Sequence, residues 1–184
     1  MVESTPSLLA PWSNFYIMCG SAAAGLTGLM FVVITLVTGV ERSKRSSDGI
    51  STFSTPTVVH FGSALLVCAI LSAPWRALVH PATLLGLAGL CGILYVLTLL
   101  YRTMRLSVYT ADLEDWAWYT ILPLIAYGAI LGGAIVLPAA PVDALFALAA
   151  GVLSLIFVGI HNAWDIVTYI VIGGHDEPPS SGAR

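Results

Sequence analysis

Apolar residues along this chain come in five long runs, separated by short polar or proline-bearing segments. A helix needs about 20 apolar residues to cross a hydrocarbon core ~30 Å thick. The pattern predicts spans at about 15–40, 57–79, 82–101, 119–137 and 144–172. Only Arg76, His80 and Pro81 divide the second run from the third, which reads as a tight helical hairpin. One continuous helix is disfavoured there, because Pro81 removes a backbone donor and Pro74 lies earlier on the same side. Pro138 to Asp143 divides the fourth run from the fifth, with Asp143 expected as the N-cap of the last helix. Inside the fourth run Pro123 predicts a kink between Tyr119 and Tyr127. The fold class that follows is all-α, a polytopic transmembrane bundle of five spans. Residues 1–14 form an N-terminal segment, and 173–184 a polar tail expected to be disordered.

Composition supports this reading. The chain is 58% apolar and 9% charged, whereas soluble domains carry about 25% charged residues. A net charge of −3 and seven Lys and Arg, with no basic stripe, exclude a nucleic-acid surface. Cys19, Cys68 and Cys91 each sit within an apolar run, and no CxxC pair exists. Neither a disulfide framework nor a zinc site is indicated. The N-terminal stretch carries Glu3 and no Lys or Arg, unlike the basic start of a signal peptide, so the first run is expected to stay in the mature protein.

Charge then orients the spans. Arg42, Lys44 and Arg45 lie between runs one and two, Arg102 and Arg105 after run three, and Arg184 in the tail. With five spans these six fall on one side, and only Arg76 falls opposite. Because basic residues mark the cytoplasmic face, the N-terminus is expected outside and the C-terminus inside. The stretch between runs three and four places Asp112, Glu114 and Asp115 beside Trp116 and Trp118. It reads as an interfacial segment anchored by tryptophan, with a cation site or docking surface as the sharper alternative.

Helices in lipid pack through small residues. Gly20, Ala24, Gly28 and Thr35 share one face of run one; Gly86, Gly89 and Gly92 recur in run three, and Gly128, Gly132 and Gly133 in run four. Such faces serve contacts within the bundle, a subunit contact, or the lining of a pore.

Ionisable groups inside a span are costly and mark functional candidates. His161 and Asp165 are four apart in run five, beside Asn162, and Ser154 and Thr168 extend the same stripe. His60 lies at a matching depth in run two, so a His60–His161–Asp165 cluster forms if these two runs are neighbours. A histidine beside a carboxylate can relay a proton. Two histidines on different helices can also hold a haem b, or a metal together with Asp165. The third reading is a hydrogen-bonded knot without a cofactor.

Three stretches, Trp12–Leu36, Ser54–Trp75 and Gly159–Ile170, resemble small uncharacterised bacterial multi-pass membrane proteins. The resemblance implies a bacterial inner (plasma) membrane and brings no activity, ligand or site residue. No GxSxG, HExxH or P-loop motif is present, so an enzyme is not expected. The working expectation is a homo-oligomeric ion- or proton-conducting component in the lipid bilayer. The alternatives are a non-conducting accessory or scaffold protein and a haem-binding redox subunit.

Overall fold

The computed structural model describes residues 8–41, 48–105 and 116–173. All regular structure among them is helical. A short 3-10 turn at Ala10–Trp12 leads into α1 (Ser13–Glu41), followed by α2 (Asp48–Ser72), α3 (Val79–Arg105), α4 (Leu122–Val136) and α5 (Pro141–Gly173). A π turn at Ala117–Ile121 runs directly into α4. Five helical stretches are long and apolar enough to cross a membrane: Ala10–Thr35, Thr55–Ser72, Val79–Met104, Ala117–Val136 and Pro141–Thr168. The basic residues Arg42, Lys44, Arg45 and Arg184 and the acidic trio Asp112, Glu114 and Asp115 lie outside the described residues.

Helix ends differ from the apolar run ends where proline and aromatic chemistry intervene. The second run extends on paper to residue 79, but α2 stops at Ser72. Pro74 cannot continue the hydrogen-bond ladder. Trp75 folds back instead, and its indole N–H donates to the Ile70 carbonyl at 2.6 Å, satisfying an acceptor at the helix end. The same ring stacks on His80, with centroids 6.2 Å apart. Val79 then opens α3, and Pro81 falls in its first turn, where a missing donor has no intrahelical acceptor anyway.

Asp143 is not the N-cap of α5. Pro141 begins the helix, and the first intrahelical bond runs from the Ala144 N–H to the Ala140 carbonyl at 3.1 Å. Ala140 holds the cap position, and Asp143 lies in the first turn, facing the positive end of the helix dipole. Where Pro123 predicts a kink, the chain widens into the π turn. The Leu122 N–H reaches five residues back to the Ala117 carbonyl. Pro123 offers no N–H of its own, and its ring crowds the carbonyl four residues back, at Tyr119.

The short loops leave two ends that can be told apart. The turns at 73–78 and 137–140 share one end with the start of α1, here the turn end. The last residues of α5 mark the opposite, tail end. At the turn end Trp12, Phe15, Tyr16 and Phe146 pack edge to face or tilted, with centroids 4.8 to 5.9 Å apart. The Tyr16 hydroxyl donates to the Leu145 carbonyl at 3.1 Å, joining α1 to α5.

α5 is the central element. It packs against α4 and α2 and touches α1, while α3 packs on α4 and more lightly on α2, and α1 packs on α2. More than half of the α5 span is buried, against less than a quarter of the α1 and α3 spans. Close approach is bought by missing side chains: a Cβ on Gly151 would stand 2.9 Å from the Ala126 carbonyl of α4, and one on Gly89 would stand 2.9 Å from the Leu131 backbone nitrogen. A Cβ on Gly128 or Gly132 would meet nothing within 4 Å among the described residues, so that face of α4 is turned away from them.

Candidate intramembrane polar site

The buried face of α2 carries Thr57, His60, Phe61, Ala64, Val67, Cys68 and Leu71, the three- and four-residue spacing of one helical face. Two of these seven are polar, and His60 is only 1% exposed. Its partner comes from α4. Tyr127, equally buried, brings its hydroxyl to 3.1 Å from His60 Nδ1 and donates to Ser63 Oγ at 3.0 Å. The tyrosine ring lies in the space left by Gly92 of α3, where any Cβ would collide with it. One network therefore draws on three helices: α2 supplies the histidine and serine, α4 the tyrosine, and α3 the room for its ring.

Proton counting gives this network two self-consistent forms. With a proton on His60 Nδ1, the imidazole donates to the tyrosine oxygen, and the tyrosine donates to Ser63. With Nδ1 unprotonated, Tyr127 donates to the imidazole and accepts from the Ser63 hydroxyl. Each form leaves every named group paired, so the network ties α2 to α4 in either direction.

His161 stands elsewhere. Its ring lies flat on Trp118, with centroids 3.8 Å apart and planes 4° from parallel, and Trp118 belongs to the π turn. His161 Nδ1 is 3.2 Å from Asp165 Oδ2, close enough for an ion pair but not aligned as a hydrogen bond. Asp165 is 42% exposed at the surface of the bundle. Thr168 donates to the carbonyls of Trp164 and Asp165, both at 3.0 Å, and so serves its own helix. Ser154 is half-buried. Asn162 turns fully inward, and neither its amide oxygen nor its amide nitrogen has a partner among the described residues.

α2 and α5 are neighbours, as a three-residue cluster would require, yet His60 and the His161–Asp165 pair are directed to different partners, Tyr127 and Trp118. Among the described residues no group of three or more His, Cys, Asp or Glu comes together. On α1, Gly20 packs against Cys68, where an added Cβ would sit 3.0 Å from the cysteine Cβ. Ala24, Gly28 and Thr35 are exposed, and Thr35 donates to the Phe31 carbonyl at 2.7 Å.

Tyr127 and Ser63 are the site residues that the sequence pattern passes over. Tyrosine and serine are unremarkable in a span, and their pairing with His60 depends on how α2 and α4 pack. The one legible hint is the glycine series of α3, whose member Gly92 makes room for a large ring. Comparison with protein-family models gives no match, and neither curated proteins nor solved structures match the chain significantly.

Proposed function

We propose that this chain is a bacterial inner-membrane protein, N-terminus outside and C-terminus cytoplasmic, acting as a non-conducting accessory or scaffold subunit. The single observation that carries the reading is the His60–Tyr127–Ser63 network, which ties the most deeply buried histidine among the described residues to a second helix. Thr168 and Thr35 are likewise spent on their own helix backbones. These groups thus account for themselves as ties, and none of these bonds needs an ion or a cofactor. Six of seven basic residues on one side of five spans support the orientation.

A second reading is favoured by one observation. Asn162 is buried and unpaired within one residue of His161, an arrangement suited to a homo-oligomeric ion- or proton-conducting component. Flux in proteoliposomes separates the two. Under proton, sodium and potassium gradients the scaffold reading expects the wild-type protein to match empty liposomes. Flux above that level, lost in His161→Ala or Asp165→Asn, transfers the assignment to conduction.

A further inference from the structure

The seam where α2, α4 and α5 meet contains a polar side chain that the protein itself does not satisfy. Asn162 is fully enclosed, and both ends of its carboxamide lack a partner among the described residues. A buried amide gives up its hydration, and nothing in the fold repays it unless a hydrogen-bonding guest is present.

Helix geometry tells where the amide points. Gly151 of α5 is pressed against Ala126 and Ile130 of α4. From Gly151 to Asn162 an α-helix turns through roughly three full circles plus ~20° and rises ~16 Å, so Asn162 keeps nearly the same bearing but lies level with the π turn that leads into α4, where Trp118 stacks on His161. Gly159, less than one turn before Asn162, lies under the Phe61 ring of α2. The carboxamide therefore enters the seam between α2 and the π turn at the start of α4. His60 is next to Phe61 in sequence, which brings it within about one turn (~5.4 Å along the axis) of the level of Asn162.

We propose that Asn162 anchors an internal water molecule in this seam, beside the His60–Tyr127–Ser63 network. The chemistry of the amide selects the guest. Its oxygen needs a donor and its nitrogen needs an acceptor, and water is the smallest species that is both. A cation would satisfy the oxygen alone, and among the described residues no cluster of His, Cys, Asp or Glu stands ready to share its charge. A lipid headgroup or a second chain cannot reach a side chain that is 0% exposed. The site is independent of whether the protein conducts.

Radiolytic labelling tests it. Brief X-ray exposure generates hydroxyl radicals from bound water as well as from bulk, so enclosed side chains beside an internal water become oxidised. The full-length protein in nanodiscs carries its own control: Tyr127, Phe61 and Tyr16 are all 1% exposed, but Tyr16 lies outside the seam, bonded to Leu145. The expected result is modification of Tyr127 and Phe61 several-fold faster than Tyr16, falling to the Tyr16 rate in Asn162→Leu. Equal rates for the three in the wild-type protein overturn the proposal, a comparison that stands even if the variant fails to fold. Seam labelling unchanged in a folded Asn162→Leu protein removes Asn162 as the anchor.

Discussion

Single buried residues set the sharpest expectations. Tyr127 supplies the hydroxyl that reaches both His60 and Ser63. Tyr127→Phe keeps the ring over Gly92 and removes the oxygen, leaving His60 Nδ1 enclosed without its partner. Such orphaning costs about 1–3 kcal/mol, so the variant is expected to unfold at a lower temperature in detergent or nanodiscs. Replacing both partners, His60→Leu with Tyr127→Phe, removes the polar group as well as its bond. The double variant is expected to recover part of that loss, because an apolar pair carries no unpaired atom. A double variant less stable than the sum of the two single changes would argue that the histidine has another partner. At this scale the sequence revealed only half of the site. His60 stood out as an ionisable residue in an apolar run, whereas Tyr127 did not, because tyrosine in a span is ordinary and the contact joins residues far apart in the chain.

At the scale of elements, glycines decide which helix faces meet. Gly92 lies under the Tyr127 ring and Gly159 under the Phe61 ring. Gly92→Ala and Gly159→Ala each force a ring out of its place and are expected to cost about 1–3 kcal/mol, the usual range for overpacking. Gly128→Ala meets open space; it is expected to be neutral or to stabilise by up to ~1 kcal/mol through helix propensity. Thermal unfolding of the three variants side by side checks the contrast. Sequence spacing placed Gly92, Gly128 and Gly20 alike on small-residue faces, but could not say which faces find a neighbour. The helices themselves were plain in the apolar runs, since lipid solvation acts on composition, which is local. Their ends were not: Trp75 closes α2 by a bond to Ile70, and Ala140 takes the cap position that Asp143 was expected to hold. Such ends are settled by individual side chains and proline geometry, which hydropathy does not resolve.

For the whole molecule, the sidedness rests on basic residues that flank the spans. In a background with Cys19, Cys68 and Cys91 replaced, Ser7→Cys is expected to react with a membrane-impermeant maleimide on intact cells. Ser181→Cys is expected to react only after the membrane is opened. Reaction of Ser181→Cys from outside would reverse the orientation or remove a span. The central place of α5 has a consequence for biogenesis. It is the last helix among the described residues, yet it packs against α1, α2 and α4. Until it leaves the insertion machinery, the inward faces of α2 and α4, with His60 and Tyr127 on them, have no helix to close over them. The nascent bundle therefore passes through a stage that is inserted but open.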